Sequence, residues 1–194
     1  MTEAPDPADS TTPRLVLPPE EQALADAVRE IERHVATGGW DGPVRVFALV
    51  ETARALETDP SLASQLPAEV VAAARRDLRH LTSVEQEDLP PADDIESLLG
   101  ALTWPPTVDG AAIVLERVVL PPAAEAAMPA NPDAALAYLL GHPDRQDVRM
   151  AVAAMRDGRA WCVVRTRAND ADDAVGQGRD VVPGLIDAVR ATLS

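Results

Sequence analysis

The sequence contains no lysine: all 17 of its basic residues are arginine. That excludes a Schiff-base lysine, covalently held pyridoxal phosphate and the lysine of a phosphate-binding Walker loop within this chain. A GC-rich coding bias, which also enriches alanine, accounts for the substitution of arginine for lysine. There is one cysteine, Cys162, so no internal disulfide and no cysteine-cluster metal site can form. Basic charge is scarce against 32 acids, for a formal net charge of -15. A general nucleic-acid binder needs a basic footprint on phosphate, so that class is excluded. No apolar run approaches the roughly 18 residues of a membrane span, and no basic segment followed by an apolar core opens the chain. A cytoplasmic protein without a membrane segment is the expectation.

Catalytic signatures are equally sparse. His34, His80 and His142 are scattered, with one residue between His142 and Asp144, and no HExxH or Cys/His spacing occurs, so no metal or other cofactor is implied. Asn169–Asp173 matches a calcium loop only in its density of acids. Gly176 and Gly178 lack the third glycine of a dinucleotide fingerprint and read as a flexible loop. No GxSxG or kinase motif is present. Asp93 and Asp94 read as solvated charge at a capped helix start.

What is present is an α+β pattern. Residues 1–18 are proline-rich and acidic without apolar period, a disordered leader, and 19–194 form a single domain. Pro19–Thr37 is the clearest helix. Leu24, Val28, Ile31 and Val35 share a face, Glu20 and Glu21 stand in the first turn, and Gly38-Gly39 stops it. Shorter helices are expected at 52–56, from Pro60, over 67–80 with Val70, Val71, Ala74 and Leu78 inward, from Asp93 to about Leu102, over 131–141 and over 183–193. Strands are expected near 44–50, 111–120, 147–156 and 159–167. The first two are apolar at both parities, which predicts cover on both faces. Together these make an antiparallel-rich sheet of about four strands packed with about six helices.

The stretch 147–167, DVRMAVAAMRDGRAWCVVRTR, organises the rest. Asp157-Gly158 between two apolar runs signals a hairpin, read here as a two-residue type I′ loop. That register sets Ala154 opposite Trp161, Val152 opposite Val163 and Met150 opposite Arg165. One face then holds Ala151, Ala153, Met155, Ala160, Cys162 and Val164, with Arg149 at its open end. Cys162 reads as core there. The other face has Val148, Met150, Val152, Trp161 and Val163, with Arg156, Arg159, Arg165 and Arg167 at its ends. An apolar centre with a tryptophan and an arginine rim has the composition of a protein interface. The bland alternative is that the chain's own helices cover this face and arginine stems snorkel at its edges. The acidic stretch 80–116, which holds no arginine, is then their internal partner.

Two functions follow as expectations. The first is a non-enzymatic interaction or regulatory protein, a homodimer or a binder of another protein, using Trp161, Met150, Val152, Val163, Arg156 and Arg159. The second is a binder of small acidic ligands, or an enzyme acting on them, through Arg145, Arg165 and Arg167, with His142 as acid or base. Trp40-Asp41, an aromatic beside an acid at a strand entrance, is a further candidate to line a pocket; packing of the helix-to-strand corner is its plainer reading.

The segments WDGPVRVFALVETARAL (40–56), VDGAAIVLERVVLPP (108–122), HPDRQDVRMAV (142–152), MRDGR (155–159) and VVPGLIDAVRATL (181–193) resemble a family of conserved hypothetical actinobacterial proteins over roughly residues 19–193. The resemblance implies an actinobacterial source and a cytoplasmic single-domain protein. It implies no activity, and so transfers no catalytic residue.

Overall fold

The computed structural model describes residues 17–194. The leader expected at 1–18 therefore lies almost wholly outside the described residues. Helix α1, Pro19–Ala36, begins with proline at its first position and glutamates in its first turn, both suited to the unpaired N–H groups there. Gly39, at φ +80°, turns the chain out of it.

Among the described residues six strands form one sheet: β1 Arg45–Glu51, β2 Leu81–Glu85, β3 Gly110–Val119, β4 Gln146–Met155, β5 Ala160–Thr166 and β6 Gly176–Gly178. Their order is β2-β1-β3-β4-β5-β6, and every neighbouring pair is antiparallel. The four expected strands lie within a residue or so of their places. The two edge strands were not expected: β2 is only five residues long in an acidic stretch, and β6 is the Gly-Gln-Gly read as a loop.

Both faces of the sheet are covered. On one, α1 lays Leu24, Val28 and Ile31 against Phe47, Ala112, Ala151, Ala153, Trp161 and Val163. On the other, helix α4, Ile95–Ala101, and helix α7, Pro183–Ala191, pack Leu98, Leu99, Ile186 and Val189 against Val46, Ile113, Met150, Val152 and Cys162. This two-sided burial is the reason for apolar residues at both parities of β1 and β3. Gly110 is required where β3 meets β4, because a Cβ there would sit 2.7 Å from the Ala154 carbonyl oxygen and 2.4 Å from Met155 Sδ.

Helix α2, Thr52–Thr58, a 3-10 turn, Pro60–Ser64, and helix α3, Ala68–Arg76, fill the β1–β2 connection. α3 stops before Leu78, which is 70% exposed rather than inward. The cap of α4 is Asp94, whose carboxylate accepts from Ser97 N at 2.7 Å, one residue later than expected. Helices α5, Pro122–Ala126, and α6, Pro132–Gly141, occupy the β3–β4 connection, and α5 was not expected.

The hairpin differs from its expected register by one residue. Met155 N donates to Arg159 O at 2.9 Å, and Gly158 N donates to Met155 O at 3.0 Å. Gly158 has φ +93°. The loop is therefore three residues, Arg156 to Gly158, a turn closed by a glycine bulge, rather than two. Ala153 then faces Trp161, Ala151 faces Val163 and Arg149 faces Arg165. A one-residue shift moves every β5 side chain to the opposite face. Trp161 and Val163 lie under α1, and Cys162 lies under α7.

Candidate functional site

The shifted register brings Arg149 and Arg165 side by side on the α1 face, where the expected register separated them. Both are almost fully enclosed, at 1% and 3% exposure, and so is Glu32 of α1 at 2%. Glu32 stands four residues after Val28, on the same buried stripe. Its carboxylate takes two parallel bonds from Arg165, Nε to Oε1 and Nη2 to Oε2, each 2.7 Å. Arg149 Nη1 lies 3.7 Å from Glu32 Oε1 and has no hydrogen-bond partner among the described residues. Arg149 gives its other donors to Glu116, Nη2 to Oε1 at 2.7 Å, and to the Gly39 carbonyl. Burial of three charges is tolerated because each meets an opposite one at hydrogen-bonding or ion-pair distance.

The loop between α1 and β1 closes over this group. Asp41 takes a left-handed φ of 67°, and its N–H donates to Glu116 Oε2 at 2.6 Å. The Trp40 ring lies 4.5 Å from the Arg149 guanidinium and 5.2 Å from that of Arg167, while its Nε1 donates to Asp170 Oδ2 at 2.9 Å. Arg167 bonds Asp41 and lies 3.9 Å from Asp147. Arg165 also donates to Asp172 Oδ1 at 2.8 Å and to the Asp170 carbonyl at 3.2 Å. The acidic loop 169–173 is thus held by Arg165 and Trp40. Beside the network is a narrow cavity of about 110 Å³. Gly38, Gly39, Gly42, Arg45, Glu116 and Arg149 are among its lining residues.

Arg165 beside Asp172 holds that carboxyl below its ordinary 3.8. Because the folded value is depressed, the stabilisation is present above 3.8 and is lost as pH falls through the folded value. Asp172→Asn is expected to lower the melting temperature slightly at neutral pH, and the gap to close in strong acid. A gap that stays constant down the acid limb would show that the carboxylate is not a charge partner of Arg165. Arg165 is itself held above its ordinary value, first by its bonds to Glu32, and stays charged throughout.

The six residues expected to share an interaction face do not share one. Trp161 and Val163 are buried under α1, Met150 and Val152 under the α7 side. Arg156 donates to Val108 O at 2.9 Å and to the Leu193 carbonyl, tying the end of the C-terminal helix to the sheet. Arg159 donates to Asp157 at 2.7 Å and to Glu20 O at 2.8 Å. Cys162 is fully buried, and burial pushes its thiol up, away from the reactive thiolate.

Arg145 donates to Leu140 O at 2.8 Å, at the end of α6. His142 packs its ring 5.2 Å from that of Tyr138 and accepts from Asp144 N at 3.1 Å. Arg165 and Arg167 therefore work with Arg149 around Trp40, whereas Arg145 and His142 serve the α6 terminus. Of the acidic stretch 80–116, Glu116 joins the hairpin network, while Glu85 pairs with Arg45 and Asp109 with Arg54.

A family model for PPA1309-like proteins matches residues 24–194, from the buried face of α1 to the final residue. The chain belongs to the PPA1309-like family. No curated protein and no solved structure matches it. In this PPA1309-like protein the matched span holds the whole Glu32–Arg149–Arg165 network and both layers packed on the sheet.

One further surface was missed from the sequence. α6 reads PDAALAYLLG, apolar nearly all round, yet none of its ten residues is buried. Leu136 is 55% exposed and Leu140 50%. Its residues Ala135, Tyr138 and Leu139 are half-covered, while Asp133, Leu136, Ala137 and Leu140 face outward. The available signal was an apolar helical stretch bracketed by Pro132 and Pro143. Among the described residues no helix is long and apolar enough to cross a membrane.

Proposed function

We propose that this chain is a non-enzymatic interaction or regulatory protein whose contact surface is the outward face of α6. The observation that carries the reading is an apolar ten-residue helix with no buried residue. A helix apolar on all sides is normally enclosed, and exposed apolar patches of this kind mark interaction sites. Met128, 40% exposed beside it in the chain, adds a flexible apolar side chain of the type such surfaces favour.

The second reading, a binder or enzyme for small acidic ligands, has less support. Arg149, Arg165 and Arg167 are in ion pairs with Glu32, Glu116, Asp41, Asp147, Asp170 and Asp172. An incoming anion would meet six carboxylates around three guanidiniums. An actinobacterial source and action in the cytoplasm belong to the same proposal.

A photo-crosslinking residue at position 136, expressed in the cells that carry the gene, tests the reading. A discrete adduct is expected there and not with the same residue at exposed Glu57 on α2. No adduct at 136, or the same pattern at both positions, would overturn it.

A further inference from the structure

Resting on that reading, we infer that the occupant of the α6 surface is a second copy of this chain, with the two α6 helices packed antiparallel about a twofold axis. Three features favour self-association here. The outward residues Asp133, Leu136, Ala137 and Leu140 follow i, i+3, i+4, i+7 spacing, the stripe through which two helices pack. Ala137 between the leucines lets the axes approach closely.

Charge permits a second copy here. Two copies at net charge -15 repel each other over most of their surface. The segment 121–145, which contains α5 and α6 and reaches Arg145, has Glu125, Asp133 and Asp144 as its only acids and Arg145 as its base, so two copies meet there with little like-charge cost.

The helix ends are also complementary to each other. Asp133 stands in the first turn of α6, and Arg145 is fixed at its far end by the bond to Leu140 O. Ten helical residues span about 15 Å, so antiparallel pairing sets Asp133 of each copy beside Arg145 of the other. The helix dipoles are opposed in the same arrangement. The contact is isologous, as closed dimers require.

Sedimentation velocity on the full chain across a concentration series tests this. Wild type is expected to run at twice its 20.6 kDa mass. L136E/L140E is expected to weaken association about a hundredfold or more with an unchanged circular dichroism spectrum, because neither leucine is buried. D133R alone and R145D alone each weaken it about tenfold, and D133R/R145D restores it, since each copy then again offers opposite charges to the other. A wild-type monomer at every concentration overturns the proposal, as does a dimer indifferent to L136E/L140E. The same holds for a charge swap that fails to rescue while its spectrum is unchanged. A strict monomer that still gives a discrete adduct with a different protein from position 136 would overturn the second copy and leave the interaction reading standing.

Discussion

Glu32→Gln is expected to destabilise the protein by about 3–5 kcal/mol, the cost of breaking a buried ion group by removing one member. The amide keeps the volume and one acceptor but removes the charge that Arg165 grips with two 2.7 Å bonds. It also removes the carboxylate 3.7 Å from Arg149 Nη1, which has no hydrogen-bond partner among the described residues. Arg149 retains Glu116, and Arg165 retains Asp172 and Asp170, so the loss is partial rather than complete. For a chain of this size the melting temperature should fall by about 10 °C. Guanidinium or urea melts of wild type, Glu32→Gln, Arg165→Met and the double variant give the coupling energy. The double variant should be no less stable than Glu32→Gln, because it leaves one fewer buried charge unpaired. A Glu32→Gln variant within about 0.5 kcal/mol of wild type would mean that water, not Glu32, satisfies these guanidiniums.

Trp161→Ala is expected to cost a similar amount, about 3–5 kcal/mol, with the loss appearing in stability rather than in association. Trp161 is buried between α1 and the sheet, in contact with the cluster of Leu24, Val28, Ala153 and Val163. Among the described residues its buried Nε1 has no hydrogen-bond partner, so the ring contributes there through its apolar volume. Trp161→Phe should therefore recover much of the loss, since it restores apolar bulk and removes the unsatisfied donor. Under the surface role expected from the sequence, alanine would leave the melting temperature alone and alter only complex formation. Equilibrium unfolding of the three proteins separates the two roles, and a Trp161→Ala protein as stable as wild type would contradict the packing described.

The difference between those roles traces to one residue in a loop. Asp157-Gly158 signals a turn needing a left-handed glycine, and both a two-residue loop and a three-residue loop with a bulge satisfy that need. The choice rests on whether Met155 or Arg156 closes the ladder, and residue types do not separate the two cases. Because side chains alternate, the choice decided the whole of β5: Trp161, Val163 and Arg165 moved to the face of Arg149. Where periodicity ran long, as in α1 and β3, the elements were legible to within about a residue. β2 was hidden because a five-residue edge strand among acids carries little apolar signal. Glu32 was legible in principle, as an acid four residues from Val28 on the buried stripe of α1. Its partners were not, since they come from strands more than a hundred residues away. The α6 helix was readable from Asn131-Pro132-Asp133, but its lack of cover depends on where every other element ends.

The same long reach bears on how the chain is made. Glu32 and Arg165 are 133 residues apart. At about 5–20 residues per second, α1 leaves the ribosome on the order of ten seconds before the strand that neutralises its buried acid exists. During that interval Leu24, Val28 and Ile31 have no sheet to lie on. Glu32, still hydrated, gives the waiting helix a charged edge that disfavours wrong apolar partners. The carboxylate that later seals the core thus adds to the charges of Glu20, Glu21, Asp26, Arg29, Glu30 and Arg33 that hydrate the waiting helix.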